Sequence, residues 1–441
     1  MHLPFRRLLL IVAIVAFVAI APVIVLYAIG YRPVTTTTPQ PVGVAIVQTF
    51  PRKANVSING TQYGATPRSI PNLLPGLVTI QVTKDGYQSW EKKLEIKPIQ
   101  ATDARAIKLI PNTPDQDIIS ADVSLYSASP DSSTIAIATS SNEIFLTDAN
   151  GKFKTNRIAF KSTITSLLWS PDSVRLFVTT KKSGNAILHF SNQTIEKIPN
   201  ALPADFQNAA WSASAANTLL ASNEKHQLIQ YDIEQQTSEV LVTDINNFTL
   251  LNGQIVVQKT DNTIILSDST INVHNIATSF IASSSGDMAI MLDSGELQVL
   301  QKDGSILPIA KHALSASWSP DGIMLLVQTS QNELNIYNIG NSLTKNIPQR
   351  ELHLLTRLST PIKHAQWLPD NAHIVYETEG NIICSEIDPR DHAITNIITV
   401  TPQNNPNLFW TAKDGTSIVH IQKDKDTTNL VRTWLVTKED R

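Results

Sequence analysis

The sequence is almost without cysteine. Cys384 is the only one in 441 residues, so no disulfide can close within the chain and no cysteine-rich metal site can be built. Set in the run "NIICSEI", it reads as a small buried hydrophobe. A basic excess is missing as well. Lys and Arg number 35 against 38 Asp and Glu, a net charge of -3, which leaves nothing to neutralise phosphates and argues against nucleic acid as a partner. Catalytic signatures are lacking too: there is no Gly-x-Ser-x-Gly elbow, no His-Glu-x-x-His and no Gly-x-x-x-x-Gly-Lys loop. No peptidase domain is expected after the repeats described below. Past the N-terminus, no 3.6-residue pattern runs long enough for a coiled coil or helical repeats.

What is present is the composition of folded protein, 42% hydrophobic and 17% charged, in a length that predicts two or three domains. Strand formers and Asn, Gln, Ser and Thr are plentiful, which suits short strands joined by polar loops.

Residues 8–31, "LLLIVAIVAFVAIAPVIVLYAIGY", carry no charge. As a helix this stretch is about 36 Å long, more than the roughly 30 Å hydrocarbon layer. Its Leu, Ile, Val and Phe residues favour insertion by roughly 5–9 kcal/mol. Pro22 is expected to kink the span, which membrane helices tolerate. Arg6 and Arg7 precede the span and Arg32 follows it, a small bias that favours residues 1–7 in the cytoplasm and the remainder outside. A cleaved signal peptide is the competing reading, with Ala19-Ile20-Ala21 as the small-x-small site. Pro22 disfavours cleavage there. Residues 32–42, including "RPVTTTTPQP", read as an extended linker that lifts the next domain about 30 Å off the bilayer.

Residues 43–111 alternate in strand fashion. Val56 and Ile58 precede Asn59-Gly60, the strongest short hairpin signal. Pro75-Gly76 turns the chain, Val78, Ile80 and Val82 share one face, and Lys84-Asp85-Gly86 turns it again. The expected product is a small antiparallel sheet or sandwich. The order Asn59-Gly60, Gly64-Ala65-Thr66-Pro67, Leu74-Pro75-Gly76 and Lys84-Asp85-Gly86-Tyr87 with Trp90 resembles the PEGA domain. That resemblance implies a fold and a place among prokaryotic surface proteins, and it brings no catalytic residues. Tyr87 and Trp90 read as core, against an exposed sugar-stacking platform.

From residue 115 to 441 a phrase recurs: "ASPDSSTIAIAT" from Ala128, "WSPDSVRLFVTT" from Trp169, "WSASAANTLLAS" from Trp211, "WSPDGIMLLVQT" from Trp318, "WLPDNAHIVYET" from Trp367 and "WTAKDGTSIVHI" from Trp410. Weaker copies begin at Leu250 and Ala282. The spacing is close to 40 residues with strand-like segments only, which indicates propeller blades. Eight marks predict eight four-stranded blades, or seven if the copy at 250 is not one. Residues 117–121, "DIISA", are placed to give the last blade its fourth strand. "WSPDG" followed by an apolar strand resembles the TolB-like propeller repeat. Together these give an all-β chain: one N-terminal transmembrane helix, a PEGA-like β-sandwich and a β-propeller.

The candidate chemistry is sparse. Asp131, Asp172, Asp321 and Asp370 recur once per repeat and read as turn caps. His364 and His373 flank one repeat turn, where two imidazoles on one blade are a metal possibility. Asn55-Val56-Ser57 and Asn192-Gln193-Thr194 match glycosylation sequons. No catalytic, cofactor-binding or metal-binding residue is assigned, no cofactor is expected, and the ligand-binding residues are left undefined. The reading is a non-enzymatic, single-pass, extracytoplasmic binding or scaffolding protein of the cell membrane, with an envelope protein or cell-wall glycan as partner. The alternatives are a glycan-processing enzyme with its site on the propeller's central face, and a cytoplasm-facing sensor of opposite topology.

Overall fold

In a computed structural model of the chain, Leu3–Ala28 is one α-helix with Pro22 inside it. The structure describes all residues except 1–2, 33–39, 149–150, 153, 183, 193, 199–205, 213–216, 267–268, 274, 341–345, 401–409 and 425–426. The apolar stretch Leu8–Ala28 is long enough to cross a bilayer and none of it is buried by protein. The helix ends before Gly30, whose φ of +98° is accessible to glycine.

The next segment differs from the extended linker expected from its Pro and Thr content. Tyr31–Arg32 pairs antiparallel with Gln40–Pro41, Tyr31 opposite Pro41. Arg32 and Gln40 are thus one interstrand spacing apart, roughly 5 Å, and residues 33–39 between them lie outside the described residues. The amide of Val42 donates to the carbonyl of Gly30 at 3.0 Å.

The chain forms two compact units. The first holds the helix and residues up to Thr113, together with Asp388–Ile394 and Lys438–Asp440. Its β part is two sheets. One has the strand order Arg68–Leu73, Gly43–Phe50, Ala101–Lys108; the other runs Thr61–Ala65, Asn55–Ile58, Gly76–Thr83, Trp90–Ile96. Asn59 and Gly60 take φ of 48° and 81° between paired Ile58 and Thr61, the mirror-image turn that Asn-Gly favours. Gly43–Phe50 and Ala101–Lys108 run parallel, where the alternation alone suggested antiparallel pairs only. A parallel pair needs a long crossover, and the four-stranded sheet between them in sequence supplies it. Val47, Val56, Ile58, Ile70, Ile80, Val82, Leu94 and Ile96 form the core between the sheets.

The second unit is a propeller. Among the described residues it has eight four-stranded sheets. Seven are consecutive meanders, from Val123–Ala128 through Thr395–Val400. The copy at 250 is a blade: Ile245–Leu251 pairs with Gln254–Lys259 across an Asn252-Gly253 turn. In the eighth, Gln116–Ser120 pairs antiparallel with Thr427–Trp434, so the first strand of the unit completes the last sheet. The ring is sealed by apolar contact. Ile119, Val123, Ile135, Ile137 and Phe145 share one buried cluster with Val419, Ile421 and Leu430. In four pairs of successive blades the first strands touch one another, so first strands converge on the axis while fourth strands form the rim. Each first strand leads into the repeat turn. The described repeat turns therefore lie on one face of the ring, and the starts of the first strands open on the other.

Candidate functional site

The repeat phrase builds the turn face. In the first, second and sixth blades, Ser129, Ser170 and Ser319 donate Oγ–H to Asp131, Asp172 and Asp321 at 2.5, 2.5 and 2.6 Å. The same carboxylates accept the amides of Ser133, Val174 and Ile323. Each serine oxygen accepts one amide further on, from Thr134, Arg175 and Met324. Asp370 caps its turn by accepting the amides of Ala372 and His373. The residue after each Asp is left-handed: Ser132, Ser173, Gly322 and Asn371 have φ of 64°, 62°, 70° and 55°. That geometry lets turns reach each other. Asn371 Oδ1 accepts the Asp321 amide at 2.8 Å, and Ser173 Oγ accepts that of Asp131 at 3.2 Å. For Asp131, partial burial pushes its pKa up, but bonds from Ser129 and Ser133 outweigh this and hold it below the usual carboxylate value. The four Asp residues are turn caps, as their recurrence implied.

The tryptophans latch neighbouring blades. Trp169, Trp211, Trp318 and Trp367 donate their indole N–H to the carbonyls of Ser127, Leu168, Ile281 and Ser317, at 3.0, 3.0, 2.8 and 3.1 Å. Each acceptor lies one residue before the matching mark of the preceding blade. Where the ring closes, Tyr126 donates its hydroxyl to the carbonyl of Val419 at 2.8 Å.

The opposite face has its own repeated device, which the sequence phrase did not expose. In the first five blades the first strand carries a β-bulge just after its start, as between Val123 and Leu125 or Ile164 and Ser166. The extra residue is short and polar in four of them. Ser124, Thr165 and Thr278 donate their hydroxyls, and Asn246 its amide, back to carbonyls of the second strand. Facing the start of the first strand, the second strand of some blades holds a buried amide that grips the next blade. Gln258 donates to the Asn275 carbonyl and accepts the Ala277 amide. Gln328 donates to the Ile362 carbonyl at 2.9 Å.

The seventh blade breaks this pattern. The matching positions hold Lys363, His364 and Glu377, with His364 directly opposite Glu377 in the hairpin. Glu377 takes the place of the gripping glutamines and is buried. Lys363 Nζ lies 3.7 Å from Glu377 Oε1. Burial raises the Glu377 pKa to about 7, with Lys363 pulling the other way. The equivalence of glutamine and carboxylate across blades becomes visible only when the second strands are aligned, where Gln258, Gln328 and Glu377 each stand fifth.

The remaining sequence candidates separate. His373 lies four strand positions from Glu377, the residue facing His364, so the two imidazoles are roughly 13 Å apart in backbone and do not meet. His373 Nδ1 instead bonds Asp370 Oδ2 at 3.0 Å. Among the described residues no cluster of three His, Cys, Asp or Glu side chains is placed to hold a metal ion. Tyr87 and Trp90 are buried in the first unit and offer no stacking platform. Cys384 is buried. Of the sequons, Asn55 opens a strand whose Val56 and Ser57 are buried, and residue 193 lies outside the described residues.

Comparison with known proteins agrees with this layout. Residues 42–108 match the PEGA domain family. No curated protein matches the chain. Among solved structures, the C-terminal WD40 domain of Sif2 is similar with a TM-score of 0.50 at 11% identity, over 73% of this chain and 99% of that one. The Dos1 propeller is similar with a TM-score of 0.50 at 14% identity, over 72% of this chain and 95% of that one. At such identities the likeness shows the fold, a WD40-type β-propeller, and nothing of function.

Proposed function

We propose that this chain is a membrane-anchored, extracytoplasmic binding or scaffolding protein, in which a PEGA module and an eight-bladed propeller present surfaces to a protein or glycan of the cell envelope. One observation carries the reading. The residues that recur blade by blade, the tryptophans, the Ser-Pro-Asp turns and the bulge hydroxyls, are engaged in holding the ring together. What differs between blades is what lines the bulge face, and a rigid ring with a variable face suits recognition. The exposed apolar helix supports the anchor. Arg6 and Arg7 ahead of it support a cytoplasmic N-terminus. A photo-crosslinking amino acid at Thr165, exposed at the bulge face, tests the reading. A discrete adduct in intact cells, absent when the probe stands at exposed Asp303 on a rim loop, supports it. Equal, diffuse labelling at both positions speaks against it.

A second reading is favoured by the Lys363, His364 and Glu377 group: a glycan-processing enzyme using Glu377 as a proton donor, since a carboxyl with a pKa near 7 keeps about half its population protonated at neutral pH. Turnover of an envelope glycan that is lost in Glu377→Gln supports this alternative. A glycan library left intact by the purified protein removes it.

A further inference from the structure

The first unit carries a group of exposed aliphatic side chains at one end of its sheets, and that end is the one joined to the helix. Backbone register fixes the location. Gly43 pairs with Leu73, Gly76 pairs with Ile96, and Val44 accepts its place beside Gln100 and Ala101. A Cβ on Gly43 would meet Ile96 Cγ2 and the Lys97 carbonyl at 2.5 Å, so the strands are tightly gathered here. Around this point Leu74, Leu77 and Ile99 are 38%, 68% and 53% exposed. The helix end is bonded to the same place: Val42 donates to the Gly30 carbonyl, and Ile99 donates to that of Val42. Ile99 is held at φ +61°, a strained conformation for a β-branched residue, with its side chain about 3.8 Å from where a Gly30 Cβ would stand.

We propose that this end of the first unit rests in the bilayer interface, with Leu74, Leu77 and Ile99 entering the boundary between headgroups and acyl chains. The inference rests on the anchored reading of the helix. Lipid is the occupant because the surface is continuous with a segment whose own exposed faces are apolar. The belt at the join has interfacial chemistry. Tyr27 and Tyr31 are of the type that settles at headgroup level. Arg32 stacks 3.5 Å over the Tyr27 ring and donates to the Tyr31 carbonyl, while Lys97 is exposed on the adjoining turn. Both cations suit phosphate headgroups. The Leu-Pro-Gly-Leu turn is therefore read as a membrane contact rather than a spacer. The module is held at the surface by two attachments, helix and turn, which fixes its orientation.

The test uses the full chain in vesicles of phosphatidylcholine and phosphatidylglycerol, with Cys384→Ser and an environment-sensitive fluorophore on single cysteines. Sites are Leu77→Cys, Leu74→Cys, Phe17→Cys in the helix and Asp85→Cys. Asp85 lies in the turn at the far end of strand Gly76–Thr83, roughly 25 Å away. The proposal expects labels at 74 and 77 to shift to shorter wavelength and to be quenched by lipids with doxyl groups near the headgroup, and the mid-span label at 17 to be quenched by lipids with doxyl groups deep in the acyl chains. The Asp85 label stays solvent-like. Quenching at 17 but not at 74 and 77 overturns the foot and leaves the anchor standing. No quenching at 17 overturns both. A blue shift at 77 without lipid quenching assigns the patch to a protein contact and overturns the proposal. Because all the labelled sites are exposed, folding is checked by an unchanged thermal transition.

Discussion

Trp169 donates its indole N–H to the carbonyl of Ser127, one blade earlier, at 3.0 Å, and three further tryptophans repeat the contact around the ring. The bond accounts for why the repeat keeps an indole: a phenyl ring fills the space but takes away the donor to a half-buried carbonyl. Trp169→Phe is expected to destabilise the propeller by about 1–2 kcal/mol. Trp169→Ala also loses packing and is expected to cost about 3–5 kcal/mol. Urea unfolding of both variants separates hydrogen bond from ring. Equal costs would show that the bond contributes nothing.

Asp172 accepts Ser170 Oγ–H and the Val174 amide, and pairs with Arg175 at 3.0 Å. As a cap it contributes local stability. Asp172→Ala is expected to cost about 0.5–2 kcal/mol and to leave crosslinking at the bulge face unchanged. Loss of the adduct with normal stability would move the Asp turns from scaffold to binding surface.

Glu377 sets a pH dependence whose sign follows from its environment. Burial lifts its folded-state pKa from 4.5 to about 7. The folded protein therefore holds more protons than the unfolded chain in that window, and stability falls as pH rises from about 4.5 to 7 and levels off above. The change is on the order of 3 kcal/mol. Glu377→Gln restores the side chain found at Gln258 and Gln328, so it is expected to be more stable than the parent at pH 8 and to lose this dependence. A variant less stable than the parent at pH 8 would show that the Lys363 pair outweighs burial.

His420 works in the other direction. It is buried in the closing blade, with Nε2 bonded to Thr433 Oγ1 at 2.9 Å, and burial lowers its pKa from 6.5 to about 4. Stability from this group is complete above pH 6.5 and is lost as pH falls toward 4. Hydrogen exchange should show strands Ser417–Asp424 and Thr427–Trp434 losing protection before the other blades on acidification. Uniform loss around the ring would remove His420 as the trigger.

Much of this architecture was legible because it repeats. One phrase at intervals near 40 residues located the blades, while the copy at Leu250 left seven or eight open, since a two-residue mirror-image turn at Asn252-Gly253 replaces the longer Ser-Pro-Asp turn there. "DIISA" was readable as the closing strand because the last repeat is one strand short. Other features were hidden for physical reasons. Lys92 sits in a strict strand alternation and is fully buried, its Nζ bonded to the Asp388 carbonyl at 2.8 Å within the first unit; a partner almost three hundred residues away leaves no local mark. The linker's composition favours extension, yet pairing of Tyr31–Arg32 with Gln40–Pro41 is a matter of register. Glu377 looked like one more polar residue at a strand end, because burial belongs to the packed blades and not to the string.

The central claim is that an anchored ring faces outward from the membrane. Its most direct test is labelling of exposed Lys302→Cys, in a Cys384→Ser background, with a membrane-impermeant maleimide on intact cells, followed by alkaline washing of the membranes. The account predicts full labelling before lysis and retention in the washed pellet. Labelling only after lysis, or recovery of the chain in the soluble fraction, would contradict it.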